Sequence, residues 1–395
     1  MIKKIILFTH GIETLWYFSE QLGKTWSELG YDVFYFDQCA SYDSLSKLIA
    51  FAEPKVTAAV IFNFEGCSGE DYLIDSKGNH LFDAREIPVV NLVVDHPFYY
   101  HKFFPSLPEK YFHISIDREH EAYMKQYFPK IRRGPFLPLA GTSLWDAGTL
   151  PSWDERPIDL IFTGNYTPPS QFDPVITRLG DEYTEFYHRI INDFIEHPHL
   201  GMDQGIRRHL LAEVENIDEE GVKDTMPNMI VIDVYVRHYF RGKVVQTLVD
   251  AGMKVHCIGA GWEQLTCRHP ENLIQIPQTD SLACLQQISR AKISLNVMPW
   301  FKDGAHDRVF NSMLNGAVCV TDWSRYMTEV LEDGRDLIFY ELNELEQLPE
   351  QLNMLLADRP RWEELQRKGF ETASKAHTWA HRAKQLHKEV LSKIL

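Results

Sequence analysis

The sequence predicts an α/β protein built from two Rossmann-like halves joined by a linker, and three observations carry that prediction. Short apolar strands alternate with longer amphipathic stretches almost from end to end. The strands are continuous apolar runs instead of alternating ones, the pattern of parallel sheets covered on both faces. The pattern breaks once, over a Gly- and Pro-rich run at 134–153, and then restarts.

Residues 5–9 read as the first strand, ending in His10-Gly11, and 13–29 carry apolar residues at helical spacing before a second strand at 33–36. The run 60–64 stops at Glu65-Gly66, 89–94 at Asp95-His96-Pro97, and 113–116 at Asp117-Arg118. Ligands of such sheets sit outside the carboxyl ends of the strands, which is where His10, Glu65, Asp95, His96 and Asp117 fall. Past the linker, 158–163 is a strand ending in Gly164-Asn165-Tyr166, and the acidic, strand-poor stretch at about 170–225 reads as a helical insertion. Alternation resumes over 244–251, 254–258, 274–276, 293–297, 317–321 and 336–340, and the tail from 361 is one or two helices bearing Trp362, Leu365, Phe370, Trp379 and Leu386. The expected domains are 1–148, 149–375 and a terminal helix at 376–395.

Composition excludes several classes. Of 395 residues, 40 are Lys or Arg and 56 are Asp or Glu, a formal charge of −16 that repels nucleic-acid phosphates and anionic lipid. The six cysteines are dispersed with no C-x-x-C pair, which suits reduced thiols better than a disulfide frame or a zinc site. No apolar run approaches the ~20 residues of a membrane span. The opening Met1-Ile-Lys-Lys-Ile-Ile-Leu-Phe8 imitates a signal peptide, but its apolar run ends at Thr9 and lacks a small-residue cleavage site. The expectation is a cytoplasmic protein with no integral membrane segment and no nucleic-acid partner.

Absent motifs narrow the chemistry. The chain has no H-E-x-x-H, G-x-S-x-G or D-x-D, so zincin, serine-hydrolase and metal-chelating nucleotide-sugar signatures are missing. Gly23-Lys24-Thr25 resembles a Walker tail, but Phe18 stands where the cradling glycine belongs. Gly259-Ala260-Gly261 follows a strand, yet Gln264 ends the dinucleotide fingerprint, leaving either a tight turn or a loop that approaches a nucleotide.

The informative stretch is 293–322. It reads as strand, a polar loop with Asp303 and Gly304, a helix at about 306–315 opening with His306, Asp307 and Arg308, Gly316 as cap, and strand again. Amide donors at that helix start, with His306 and Arg308, suit a diphosphate, and Asn311 lies one turn on, within reach of ribose hydroxyls. A plain strand-helix-strand unit with solvated polar residues is the competing reading.

This stretch resembles the donor-site segment of GT-B glycosyltransferases, in the spore-maturation (CgeB-like) branch near family 4. The wider group carries two glutamates eight apart around this helix start; here Asp303 and Asn311 stand in their places, and Asn311-Ser-Met-Leu-Asn-Gly316 replaces the run that the second glutamate leads. His306-Asp307-Arg308-Val309-Phe310 is similar to the branch's H-x-R-V-F core, and Ile161-Phe-Thr-Gly164, Asp95-His96-Pro97 and Thr378-Trp379 with Arg382 add to it. The resemblance implies two Rossmann-like domains with a cleft between them, a helical insertion in the second, and a C-terminal helix crossing back to the first. It implies transfer from a nucleoside diphosphate sugar to a glycan or protein acceptor. The donor-side candidates, from resemblance and residue chemistry together, are Gly164, Asn165, Arg237, Gly259, Asp303, Gly304, His306, Arg308 and Asn311.

Such transfer must stabilise charge on a departing diphosphate. With no D-x-D, no metal cofactor is expected and cations should serve: Arg308, and on one helix Arg237, Arg241 and Lys243, the last two reading more as a face salted for solubility. For a base, His10 is the first candidate, and Asp95 with His96 the second; Glu65 is a third strand-end acid. The aromatic run 98–104 reads as packing more than as an acceptor platform. Alternatives are a nucleotide-sugar epimerase of the same fold and a non-catalytic nucleotide-sugar-binding protein, the latter favoured by Asn311 where the wider group has a glutamate.

Overall fold

The continuous apolar runs at the centre of the first sheet become strands buried on both faces. In the computed structural model, which describes residues 2–394 except 76, 147, 148 and 179, the chain divides into two compact units, Met1–Ala140 with His377–Leu395, and Gly141–Ala376. The first holds a five-stranded, all-parallel sheet: β1 (Lys4–Thr9), β2 (Asp32–Asp37), β3 (Thr57–Phe62), β4 (Val89–Val93) and β5 (Tyr111–Ser115), in the order β2-β1-β3-β4-β5. Every residue of β3 and β4 is buried. Phe8, Phe36, Phe64, Phe82 and Met124 form the centre of a core between sheet and helices. The chain leaves β1 for β2 on one side and returns to pair β3 on the other, so the strand order reverses between β1 and β3.

Residues after 376 complete this unit. The helix Trp379–Leu386 buries Trp379, whose ring lies 4.5 Å from Phe18 and 6.2 Å from Phe62. Trp26 Nε1 donates to the Ala383 carbonyl at 3.0 Å, and the Arg382 guanidinium donates to the carbonyls of Pro138 at 2.6 Å and Leu139 at 3.2 Å. The tail is two helices: Arg359–Ala376, with Trp362, Leu365 and Phe370, belongs to the second unit. The division near the linker falls between Ala140 and Gly141; the boundary expected at 148 lies outside the described residues.

The second unit is also all-parallel. Its strands are β6 (Ile158–Thr163), β7 (Val255–Ile258), β8 (Leu273–Ile276), β9 (Ala291–Asn296), β10 (Val318–Thr321) and β11 (Ile338–Phe339), ordered β11-β10-β9-β6-β7-β8. Helices Asp173–Thr177, Asp181–Glu196, Met202–Glu213 and Glu219–Thr225 occupy the insertion between β6 and the long helix Ile230–Asp250. Residues 244–251 close that helix and its cap, because Val244, Val245, Leu248 and Val249 continue its buried stripe. Arg156, 1% exposed, binds the carbonyls of Ala291 (2.8 Å) and Asn315 (3.1 Å), clipping the start of β6 to the start of β9. No helix among the described residues is long and apolar enough to cross a membrane.

Truncating a buried tryptophan removes its burial and leaves a cavity, at a cost of about 3–5 kcal/mol. Trp379→Ala is therefore expected to lower the urea midpoint of unfolding, and deletion from residue 376 to lower it further. A wild-type midpoint in Trp379→Ala would refute the packing role of this helix.

Candidate functional site

In an open parallel sheet the ligand crevice lies where strand order reverses. In the second unit that point is between β6, which leads to β7 on one side, and β9 on the other. β6 runs into Gly164-Asn165, and β7 into Gly259-Ala260. Gly259 has φ +141°, and a Cβ there would lie 2.5 Å from the Gly164 carbonyl oxygen, so only glycine lets the two loops touch. The loops are then tied: Asn165 Oδ1 accepts from the Ala260 amide at 2.9 Å, Trp262 Nε1 donates to the Gly164 carbonyl at 2.8 Å, and Arg241 Nη1 donates to the Asn165 carbonyl at 3.0 Å.

β9 leads through 297–305 to the helix Asp307–Leu314, with His306 at its N-cap. Arg308 Nη2 stands 3.0 Å from His306 Nε2, and His306 Nδ1 stands 2.6 Å from Asp307 Oδ1. A guanidinium only donates, so Nε2 accepts and the ring proton sits on Nδ1, aimed at Asp307. With the proton on Nδ1, the Arg308 amide 3.2 Å away finds no lone pair there and makes no hydrogen bond to the ring. Burial, with Arg308 adding to it, pushes His306 down to about 4, keeping the ring neutral. Burial would raise Asp307, but His306 and Arg308 outweigh it and hold the carboxyl below its ordinary value.

Three guanidinium groups converge beside this helix start. Trp300 lies under two of them, with Arg237 Cζ 4.2 Å and Arg241 Cζ 5.1 Å from its ring centroid. Asp233 pairs with Arg237 at 2.8 Å. Arg241 Nε and Arg308 Nη1 are buried with no hydrogen-bond partner among the described residues. Burial, then Arg308 and Arg237, press Arg241 well below its usual range, and burial does the same more mildly to Arg308. An anion placed here would meet donors that have no other use.

The structure brings together Gly164, Asn165, Arg237, Gly259, His306 and Arg308, but three expected residues are used elsewhere. Asp303 pairs with Arg325 at 3.4 Å, and the Gly304 carbonyl accepts from Ser324 Oγ at 2.5 Å. Asn311 was expected to reach ribose hydroxyls; instead its Nδ2 donates to Asp307 Oδ2 (2.9 Å) and its Oδ1 accepts from the Thr142 amide (2.9 Å). The Asn165 side chain is likewise a loop tie. Sequence reasoning set Arg241 aside as a solubility residue, yet it is 8% exposed. It also missed Trp300 and Asp322. Asp322 follows β10, is 3% exposed, and accepts from the Met298 amide at 2.8 Å; burial pushes it up to about 7. A strand-end acid after a run of buried residues was the available signal.

In the first unit, His10 Nδ1 lies 3.1 Å from Asp37 Oδ1, with both side chains well exposed. Asp95 Oδ2 accepts from Asn63 Nδ2 (3.0 Å) and Tyr100 OH (2.9 Å). His96 is buried, accepts from the Phe98 amide through Nδ1 at 3.3 Å, and packs 4.2 Å from Phe98, 4.7 Å from His120 and 4.8 Å from Tyr123. The aromatic run forms a 3-10 helix, Pro97–Ser106, burying Phe98 and Phe104. Glu65, ranked last from sequence, is buried beside Gln38.

The fold is that of the GT-B glycosyltransferases. A family described as glycosyl transferase-like matches residues 240–388, the stretch that holds Arg241, Trp300 and Arg308. Among solved structures the chain is similar to an alpha-glucosyltransferase in complex with UDP (TM-score 0.57, 12% identity, 98% of this chain and 99% of that one). It is also similar to sucrose-phosphate synthase from Thermosynechococcus elongatus (0.55, 11%, 98% of each) and to Anabaena HepE in complex with UDP-glucose (0.52, 8%, 98% of each). No curated protein matches the chain in sequence.

Asp322 sets a pH dependence of stability. Its folded value, about 7, lies above the ordinary value near ~4. The folded state therefore binds the proton more tightly, so this term is fully favourable below about pH 4, declines as pH rises, and is lost above about 7. Asp322→Asn, which keeps the bond from Met298, should remove that decline from melting temperatures taken between pH 4 and 8. An unchanged slope would count against the burial argument.

Proposed function

We propose that this chain is a glycosyltransferase that moves a sugar from a nucleoside diphosphate sugar to a hydroxyl-bearing acceptor, glycan or protein, and that guanidinium groups instead of a metal neutralise the leaving group. We place it in the CgeB-like branch, with a hexosyl-type transfer, in the cytoplasm. The observation that carries this reading is that Arg241 Nε and Arg308 Nη1, buried at the switch point of the second sheet, have no acceptor among the described residues. Neighbours of the same fold were solved with UDP or UDP-glucose, which supports the same donor class here.

In this reading the second unit is the donor domain. Arg308, steered by its bond to His306, and Arg241, held over Trp300 and by the Asn165 carbonyl, receive the diphosphate oxygens. The bond from the anomeric carbon to the phosphate oxygen breaks as charge builds on that oxygen, and fixed cations lower the energy of that state more than water would. A neutral His306 donates no competing positive charge and fixes the Arg308 fork. The first unit takes the acceptor, whose hydroxyl proton passes to His10; Asp37 orients the ring through Nδ1 and steadies the imidazolium formed.

Titration with UDP-, GDP- and dTDP-sugars tests the reading. One donor class should bind, and product should form only with an acceptor. Failure of every donor to bind, conversion of donor to an epimer without acceptor, or tight binding with no turnover would each overturn it. Arg308→Ala is expected to lower transfer by about 10²–10³-fold with an unchanged circular dichroism spectrum, and near-normal transfer would remove the residue from the mechanism.

A further inference from the structure

The first sheet has a switch point of its own, between β1 and β3, and its chemistry is the reverse of the second unit's. β1 ends in His10 (φ +60°) and β3 runs into Asn63 (φ +44°) and Phe64 (φ +67°), three non-glycine residues in the left-handed region at adjacent strand ends. Such conformations cost about 1–3 kcal/mol each and persist where surrounding structure enforces them, as at functional sites. Between them and Gly66 stands Glu65. It is 9% exposed; Oε1 accepts from Gln38 Nε2 at 3.1 Å, while Oε2 is buried with no hydrogen-bond partner among the described residues. Gly11 lies directly against this carboxyl. A Cβ there would sit 2.7 Å from Glu65 Oε1 and 2.4 Å from Gln38 Nε2, so any other residue would fill the approach to both.

The neighbouring turns carry one kind of chemistry. Residues 10–12, 38–40, 63–70 and 94–96 contain no Lys or Arg; they include Glu65, Glu70 and Asp95, and Asp37 borders them. Each of their side-chain amides has one N–H turned onto a carboxylate of the same cluster, Gln38 Nε2 onto Glu65 and Asn63 Nδ2 onto Asp95. The charged groups there are carboxylates, with the His10 ring beside them and one N–H each of Gln38 and Asn63 left over. Such a set takes hydrogen bonds from O–H and N–H groups and repels phosphate or carboxylate.

We infer that the switch point of the first unit binds a polyol without negative charge, a neutral or amine-bearing sugar, with the Glu65 carboxyl accepting a hydrogen bond from it. The inference rests on the glycosyltransferase reading only in naming that polyol the acceptor. Burial pushes Glu65 up to about 7 against the opposing Gln38 bond, and Glu70 adds to the rise; a bound ammonium would hold the ionised form. Phosphorylated acceptors are excluded by the same field.

Equilibrium binding to the full chain, without donor, tests this with four probes: methyl glucoside, methyl glucosaminide, glucose 6-phosphate and methyl glucuronide. The glucosaminide should bind at least as tightly as the glucoside, and the two anions about tenfold or more weaker. Glu65→Gln should weaken the glucosaminide about tenfold, the scale of a charged hydrogen bond. If that variant does not fold, Gln38→Ala is read instead and should change glucosaminide affinity by releasing Glu65. Preferred binding of either anion, binding of none of the four, or wild-type affinity in the folded variant would overturn the inference. A parallel titration with the nucleotide-sugar panel separates the two readings: no donor bound, with the polyol ranking intact, sinks the transferase reading alone.

Discussion

Buried positive charge is the constraint on which the second unit's site depends. Arg241 and Arg308 are taken largely out of water and lie close enough to Arg237 for mutual repulsion to lower the charged form's stability. Asp233 and Asp307 offset part of this, and the face of Trp300 offsets more for Arg237 and Arg241. The balance is left incomplete, since Arg241 Nε and Arg308 Nη1 have no acceptor among the described residues. An arrangement that costs stability in the empty protein is one that a bound dianion would relieve.

The surrounding structure exists to hold that imbalance in place. The strain-free contact of Gly164 with Gly259, the Asn165 tie to Ala260 and the Trp262 bond fix the loops that carry Arg241's backbone partner. Asn311 and Asp307 pin the helix start from behind, and neutral His306 orients Arg308. The first unit solves a different problem at the same topological position. There the buried group is a carboxyl, its neighbours are carboxylates, and strained backbone at His10, Asn63 and Phe64 surrounds it. One topology thus gathers guanidinium groups at the switch point of one unit and carboxylates at that of the other.

The α/β class, the parallel sheets, the helical insertion and the strand-end placement of the polar residues were legible in the amino-acid order. Burial on both faces removes the alternation of a half-exposed strand, and a 3.6-residue period marks the helices between, so local pattern alone carries these features. The loop and helix around His306 and Arg308 were legible for the same reason: a glycine-containing loop, a capping residue and a helix leave a linear signature.

Which polar atom faces which was decided only by tertiary structure. Asn311 looked like a ribose ligand by spacing, but Thr142, far away in sequence, claims its oxygen. Arg241 looked like solvent-facing salt until the loop at Trp300 closed over it. His96 and Glu65 are both strand-end residues and equally buried; the first packs among Phe98, His120 and Tyr123, and the second lies beside Gln38. Composition and periodicity report whether a residue is buried on average. Hydrogen-bond partners separated by many tens of residues are chosen by the packing of whole elements, and no local pattern encodes that choice.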